Sequence, residues 1–203
     1  MVFKKVIEKL ENEKIDDTYI FRLGDFPVMI TAVHTMNQLR SDGTYKLGEP
    51  FTKGIARYVA EKTGVFNFIK LGDTGIDSNR FLFDEYKRKL VDYIKDNEIK
   101  LVIDLHGAGR NRDFDVEFGT LDGITINSMI MNNLEKCFKI NGILNIKYNE
   151  PFKGGGVTQA VYERTNIDVV QIEINRKFRD LNNSSEMEKI CKSLIMFIDK
   201  NYK

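Results

Sequence analysis

Each of the two histidines in the chain follows an apolar run, and this placement is the first indication of chemistry. His34 ends "VMITAVH", residues 28–34, and His106 ends "LVIDLH", residues 101–106. Two strand ends could bring two imidazoles together, and a catalytic zinc typically takes three protein ligands plus a water. Two histidines and one carboxylate would complete such a site. Two unrelated, hydrogen-bonded histidines are the alternative interpretation of this placement.

The carboxylate could be Glu49 or Asp104. Asn37 occupies the position three residues after His34, where metallopeptidase-type sites often have a carboxylate. Glu49 begins a predicted helix after a loop over 35–48 that could return it to the site, although an acidic residue is also favourable at any helix N-terminus. Asp104 points to the same side of its strand as His106. It could be a ligand itself or the partner that fixes an imidazole tautomer.

Glu173 is a candidate general base. It lies between Ile172 and Ile174 in "QIEIN", residues 171–175, within an otherwise apolar strand. A carboxylate in such surroundings is costly unless it has a partner or a role. A partly desolvated glutamate can take a proton from a metal-activated water and pass it to a leaving amine. The alternative is the polar side of a half-exposed edge strand.

Two loops carry arginines near the predicted strand ends. The stretch "GDTGIDSNRF", residues 72–81, contains Asn79 and Arg80, and "GRNRDFDVEFGT", residues 109–120, contains Arg110 and Arg112. A guanidinium can grip a substrate carboxylate with two hydrogen bonds, and a neighbouring amide can hold a further oxygen. Exposed arginines are commonly only solvated charges, so it is their closeness to the proposed site that favours a binding role.

Three consecutive glycines precede a predicted helix in "EPFKGGGVTQA", residues 150–160. Such a loop can let an anionic group approach the backbone N–H groups at a helix N-terminus, which makes Gly155 and Gly156 candidates for substrate binding. The loop lacks the Lys-Ser/Thr ending of a phosphate-binding loop. A tight turn into a helix is the alternative.

Apolar periodicity predicts the elements that must position these residues. Strand-like runs alternate with helical patterns, which is typical of a three-layer αβα fold with a mixed, mostly parallel sheet and helices on both faces. Ligands of such sheets bind outside the carboxyl ends of the strands. The predicted strands are 26–34, 66–71, 100–106, 115–120, 143–149 and 168–175, and the predicted helices are 2–12, 50–63, 80–96, 127–140, 156–164 and 185–201.

Composition limits the classes of partner. The 203 residues include 31 basic and 30 acidic side chains, and 42% are hydrophobic, which predicts one globular domain over 1–203. A net charge of +1 gives no electrostatic case for nucleic acid or a membrane as the main partner. Cys137 and Cys191 are predicted to be buried free thiols. The N-terminal stretch "MVFKKVIEKLENEK" is too charged for a signal peptide, so we expect a cytoplasmic protein.

Several motifs resemble the N-formylglutamate amidohydrolase family, which is related in fold to zinc carboxypeptidases and aspartoacylases. They are "VHT", "DLHG", "RDFDVEFGT", "PFKGGGVTQAVYE" and "VVQIEINRKFRD", in the order expected of that family and spread over roughly residues 27 to 180. The glycine loop followed by "QIEINR" is the most specific part.

The resemblance implies a phosphorylase/hydrolase-like α/β fold, one catalytic zinc per chain and hydrolysis of an amide bond in a small acidic N-acyl amino acid such as N-formylglutamate. It implies that His34 and His106 are metal ligands, with Glu49 where an acidic residue is expected, and that Glu173 is the base. Asn79 and Arg80 match the Asn-Arg pair that grips substrate in the related deacylases.

The substrate carboxylate and the developing oxyanion would then be held by Arg80, with Arg110 or Arg112 in support. A zinc carboxypeptidase, another N-deacylase, or a binding module that keeps the fold without catalysis are the alternative functions.

Overall fold

The computed structural model describes residues 2–40, 42–80 and 83–203, in which strands and helices alternate along the chain. The strands are β1 (Tyr19–Arg22), β2 (Phe26–Ala32), β3 (Gln38–Leu39), β4 (Tyr45–Lys46), β5 (Val65–Lys70), β6 (Leu101–Ala108), β7 (Val116–Gly119), β8 (Ile146–Tyr148) and β9 (Asp168–Asn175). The helices are α1 (Val2–Asn12), α2 (Thr52–Thr63), α3 (Glu85–Asp96), α4 (Ser128–Ile140), α5 (Gly156–Thr165) and α6 (Ser184–Asn201). Two 3₁₀ turns, Arg176–Phe178 and Leu181–Asn183, connect β9 to α6.

Seven strands form one mixed sheet in the order β1-β5-β2-β6-β9-β7-β8, and β3 pairs with β4 in a separate hairpin. The four central strands β5, β2, β6 and β9 are parallel, whereas β1 and β7 run antiparallel to their inner neighbours. Helices cover both faces. The predicted three-layer α/β fold, of the phosphorylase/hydrolase-like type, is therefore confirmed.

One face of the sheet is mainly apolar, with the buried Asn67 of β5 as an exception whose amide donates to the Ile30 carbonyl at 2.9 Å. Alternate residues of the central strands point to this face and pack under α1, α2, α4 and α6, because side chains in a strand alternate with a period of two. The buried hydrophobic strand residues of this layer are Val28, Ile30, Ala32, Val65, Ile69, Leu101, Ile103, Leu105, Val116, Phe118, Val170, Ile172 and Ile174. This core fixes the central strands in place.

The opposite face changes from apolar to polar along the strands. Val102 of β6 and Val169 of β9 pack under α3 and α5. By the same alternation, Asp104 and His106 of β6 and Glu173 of β9 continue this face towards the carboxyl ends, where His106 and Glu173 are neighbours in the register. The strand pattern therefore gathers the polar residues on one face at one end of the sheet.

Three short strands and the start of one helix differ from the prediction. The helix predicted over 80–96 begins at Glu85, because the Asp84 carboxylate accepts the Lys87 N–H at 3.1 Å and ends the preceding loop. The predicted positions 81 and 82 lie outside the described residues. Strands β1, β3 and β4 were not predicted; β3 and β4 have two residues each, which is too few to establish a period.

Cys137 and Cys191 are buried and unpaired, as predicted. Among the helices that the structure describes, none has the length and apolar character needed to cross a bilayer.

Candidate metal centre

Three buried side chains from distant segments converge at the carboxyl ends of β2 and β6. His34 lies just after β2, Glu49 lies before α2, and His106 is in β6. The Nδ1 atom of His34 is 3.1 Å from Oε1 of Glu49, and the Nδ1 atom of His106 is 3.6 Å from Oε2. One ligand atom from each residue lies within 4.8 Å of the other two, a spacing at which the three could hold one metal ion.

Two further carboxylates hold the outer nitrogens of the same imidazoles. The Nε2 atom of His34 is 2.8 Å from Oδ1 of Asp77, and that of His106 is 2.9 Å from Oδ2 of Asp104. Of the two acids that the sequence left open, Glu49 faces both Nδ1 atoms, whereas Asp104 lies on the outer side of His106. Asp77 was missed in the sequence, because nothing near it in the chain links it to His34.

The hydrogen-bonding chemistry of this cluster fits a cation. A carboxylate can only accept, so the Nε2 atoms of His34 and His106 must each carry the proton that points at Asp77 or Asp104. A neutral imidazole then has its lone pair on Nδ1, and both lone pairs would face the Glu49 carboxylate. Such an arrangement is repulsive unless both rings are protonated or a metal ion lies between them.

The pKa values in the metal-free protein follow from the same contacts. Burial acts to raise the pKa of Glu49, but the His34 and His106 imidazoles outweigh it and hold the pKa well below its usual range. Burial acts to lower the pKa of His106, but Asp104 and Glu49 outweigh it and raise the pKa well above its usual range. These contacts therefore favour the protonated form of His106 without a metal, and a metal ion at Nδ1 would compete with that proton.

Backbone contacts return Glu49 to the two histidines. The Glu49 N–H donates to the carbonyl of His34 at 2.7 Å, and the Gly48 N–H donates to the side-chain oxygen of Asn37 at 2.8 Å. Asn37, the residue that breaks the expected local spacing, thus closes the loop that delivers the carboxylate. Lys46 also contacts Oε1 of Glu49, at 2.6 Å.

A fully buried lysine supports the loop that carries Asp77. The Nζ atom of Lys70, at the end of β5, donates to the side chains of Gln38 and Ser78 at 3.0 and 2.7 Å, and to the carbonyl of Ile76 at 2.8 Å. Ile76 and Ser78 flank Asp77 on both sides. The loop is therefore tied to the sheet next to His34.

Glu173 lies beside this cluster and is buried. Gln171, two residues earlier on the same face of β9, donates to its Oε1 at 3.0 Å. Burial, aided by the Glu49 carboxylate, raises the pKa of Glu173 to about 7, although the His106 and His34 imidazoles act in the opposite direction. A glutamate with this pKa can both accept and release a proton near neutral pH.

A cavity of about 560 Å³ opens over the cluster and over Glu173. Asn79, Arg80, Arg112 and Gly155 line it, together with His34, Glu49 and His106. Arg110 does not line it and instead pairs with Asp180 at 2.6 Å. Of the two neighbouring arginines, Arg112 is the one that the structure brings to the site, with its guanidinium 5.0 Å from the centre of the Phe152 ring.

Gly155 and Gly156 lie against Asn79. A Cβ at either glycine would overlap Asn79. The Gly156 N–H donates to the Asn79 carbonyl at 2.7 Å, and the Val157 N–H donates to its side-chain oxygen at 3.1 Å. The N-terminus of α5 is thus already capped by Asn79. Gly155 lines the cavity, and Gly156 does not.

A larger cavity of about 840 Å³ lies beside Tyr148 and Met131. Neither histidine borders it, and Lys153 is the residue that it shares with the cavity over the metal cluster. None of the candidate site residues borders this cavity, so we assign no function to it.

Comparison with known protein families assigns the chain. A family model described as N-formylglutamate amidohydrolase matches residues 73–178, just over half of the sequence. The chain belongs to the N-formylglutamate amidohydrolase family. This membership assigns it to the hydrolases of amide bonds. A search of curated protein sequences gave no significant match.

Solved structures share the fold at low sequence identity. The N-formylglutamate amidohydrolase of Ralstonia eutropha JMP134 is 13% identical, with a TM-score of 0.65 over 90% of this chain and 97% of that one. A bacteriophage poly-gamma-glutamate hydrolase is 17% identical, with a TM-score of 0.58 over 96% and 95%. A metallo-carboxypeptidase of Burkholderia cenocepacia is 11% identical, with a TM-score of 0.54 over 98% and 68%. At these identities the likeness concerns the fold alone.

The outer carboxylates give a prediction for metal binding. We expect Asp77→Asn and Asp104→Asn each to weaken binding of a divalent metal by about 10–100-fold, because an amide no longer enforces the Nε2–H tautomer. Competition with a chelator, using Zn²⁺ as the probe, measures the affinity. Asp73→Asn, in the same loop as Asp77, is the control. Unchanged affinity in both variants would contradict the tautomer argument.

The raised pKa of Glu173 predicts a pH-dependent cost to the metal-free fold. Stability should fall as the pH rises from about 4.3, the usual pKa of an unfolded glutamic acid, to about 7, because folding then buries a charge. Glu173→Gln removes that charge. We expect the variant to be more stable than the native protein above pH 7, by on the order of 2 kcal/mol, and no more stable below about pH 4.

Urea denaturation in the presence of a chelator measures this difference. Glu8→Gln, at an exposed position of α1, is the control and should show no such pH dependence. A Glu173→Gln protein that is no more stable than the native protein at pH 8 would argue against a buried, ionised Glu173.

Proposed function

We propose that the chain is a zinc-dependent amidohydrolase acting on a small N-acyl amino acid with an acidic side chain, such as N-formylglutamate. The observation that carries the proposal is the convergence of two inward-facing Nδ1 atoms on Glu49, with Glu173 beside them in the same cavity. A binding module that had lost catalysis would have no use for a base with a pKa near neutrality.

His34, Glu49 and His106 would hold one Zn²⁺ per chain. Two imidazole nitrogens and one carboxylate oxygen are the donors that zinc accepts in catalytic sites, which keep a fourth position open. The bound ion would supply Lewis acidity, polarising the scissile carbonyl and bringing the pKa of a water towards roughly 7. Asp77 and Asp104 would keep both imidazoles oriented for this task.

Glu173 would move the proton. Its carboxylate takes a proton from the attacking water as the water oxygen forms a bond to the acyl carbon. It then passes that proton to the amide nitrogen as the C–N bond breaks. For an N-formyl substrate the products are formate and the free amino acid. The adjacent Gln171 keeps the carboxylate directed at this position.

Arg112 and Arg80 would bind the substrate carboxylate. Arg112 makes no ion pair with any residue that the structure describes, and Arg80 has only a long contact of 3.8 Å with the exposed Asp42. Both guanidinium groups are therefore available for a bidentate contact. Asn79 and Gly155 would line the substrate beside them. Arg110 is less suited, since its charge is already matched by Asp180.

A second candidate substrate is an oligomer of acidic residues. Five basic side chains border the cavity, namely Arg40, Lys46, Arg80, Arg112 and Lys153. Arg40, Lys46 and Lys153 contact Asp77, Glu49 and Asp122, so Arg80 and Arg112 are the ones with charge to spare for successive carboxylates of an oligomer. The bacteriophage poly-gamma-glutamate hydrolase, whose fold is similar, adds support for this candidate. Both candidates require the same metal and the same base.

Glu173→Gln separates metal binding from turnover. We expect the variant to retain about one Zn²⁺ per chain, because Glu173 is not a ligand, and to lose about 10²–10⁴-fold in kcat, because the base is gone. Metal analysis and steady-state kinetics measure the two properties. His34→Ala is the matched variant that should lose both zinc and turnover. A fully active Glu173→Gln protein would exclude this role.

A substrate panel with an arginine pair tests recognition. We expect N-formyl-L-glutamate to be hydrolysed faster than N-acetyl-L-glutamate and a neutral dipeptide. Arg112→Gln should raise KM by about 10–100-fold, because a charge-assisted contact is lost. Arg110→Gln should leave KM unchanged. Preferential cleavage of a γ-linked glutamate oligomer would select the second candidate, and equal effects of both arginine variants would contradict the assignment of Arg112.

A further inference from the structure

Arg179 is buried behind the metal cluster without lining the cavity. It follows β9 and the 3₁₀ turn Arg176–Phe178, and its guanidinium forms no ion pair with a carboxylate among the described residues. A cation buried without such a partner is costly to the fold. The role of Arg179 must therefore lie in the groups to which its N–H groups donate.

All of the guanidinium contacts are to backbone carbonyls. Nε donates to Ile174 at 2.9 Å, Nη1 to Pro50 at 2.6 Å and Nη2 to Ala108 at 3.0 Å. The guanidinium is planar and rigid, so three bonds from it fix the three carbonyls relative to one another.

Each of these three carbonyls lies within two residues of a side chain of the proposed site. Pro50 directly follows Glu49, Ile174 directly follows Glu173, and Ala108 lies two residues after His106. One side chain thus joins the segments that carry two of the candidate metal ligands and the candidate base. Hydrogen bonds of the sheet connect β6 to β9, but the segment of Glu49 lies in a loop and has no strand to hold it.

Gly107 belongs to the same arrangement. A Cβ at this position would overlap the Arg179 guanidinium, so only glycine lets the arginine pass behind β6. The Gly107 N–H in turn donates to Oε2 of Glu49 at 2.7 Å. The glycine after His106 therefore serves both the guanidinium on one side and the Glu49 carboxylate on the other.

We propose that Arg179 is a positioning residue that sets the separation of the Glu49, His106 and Glu173 segments through its three carbonyl contacts. It acts on metal affinity and turnover without touching substrate or metal. The inference rests on the proposed metal site, and it extends the site to a side chain outside the cavity.

Arg179→Met tests the proposal in the full chain. We expect Zn²⁺ affinity, measured by chelator competition, to fall at least tenfold, and kcat to fall by a larger factor than KM rises. Arg179→Lys, which keeps the charge but not the planar fork, should recover only part of the affinity. Arg57→Met is the matched control, since Arg57 is an equally buried arginine in α2 that pairs with Glu13 away from the cavity.

The control separates positioning from general stability. Arg57→Met should lower stability while leaving Zn²⁺ affinity within about twofold of the native value. An Arg179→Met protein with native affinity and kcat would overturn the role of Arg179 alone. A native protein that binds no Zn²⁺ would overturn the metal site, and with it this role.

A double-mutant cycle with Gly107→Ala provides a second test. Its first arm keeps Arg179 and so does not depend on how well Arg179→Met folds. Gly107→Ala should weaken Zn²⁺ binding in the native background, because the added methyl group meets the guanidinium. In an Arg179→Ala background the same change should add less than twofold. The unfolding free energy of the metal-free proteins should show the same non-additivity. Equal losses in both backgrounds would overturn the packing of Arg179 against Gly107.

Discussion

The arrangement of two imidazoles around one carboxylate is the constraint to which the rest of the site conforms. Asp77 and Asp104 fix a proton of each ring on Nε2, so a neutral ring presents the bare Nδ1 acceptor to Glu49. Three electron-rich groups cannot share this buried space unless positive charge comes with them. Lys70 and Arg179 hold the segments that carry these groups in place through their contacts with Ile76, Ser78, Pro50, Ala108 and Ile174.

The asymmetry of the sheet explains where this cluster lies. On one face most of the alternate residues are apolar, and they are covered by four helices. On the other face the apolar positions stop near the middle of β6 and β9, and polar residues take over. The same period-two alternation that builds the core therefore also lines up Asp104, His106 and Glu173. A polar face of this kind requires no departure from regular strand geometry, only a change of residue type along two neighbouring strands.

The sequence allowed the layers, the long strands and the placement of His34, His106 and Glu173 to be predicted, because all of these depend on periodicity within one segment. Contacts between segments were less accessible. Asp77 and Lys70 act through a loop whose path no local pattern specifies, and Arg179 lies within a recognised motif without any sign of what it contacts. The neighbouring arginines Arg110 and Arg112 could not be separated, since a turn decides which of them faces the cavity.

Glu49 illustrates the limit most clearly. From spacing alone it was no better than an ordinary acidic residue at a helix start, and the position where a ligand would be expected is occupied by Asn37. The structure shows that Asn37 holds the loop that returns Glu49 to His34. Asn37 thus replaces the ligand expected at its own position, but its side chain stabilises the loop that brings Glu49 to the cluster.

The capping of α5 by Asn79 has a consequence for the history of this sequence. Gly155 is small because the Asn79 side chain, from a distant loop, occupies the space over it, whereas at Gly156 the same space is taken by the Asn79 backbone carbonyl. Only positions 79 and 155 are therefore coupled through a side chain. Replacement of Asn79 by a smaller residue would relax the requirement for glycine at position 155 but not at 156, whereas replacement of Gly155 is blocked as long as the asparagine stays. The order in which such replacements can accumulate is therefore directional.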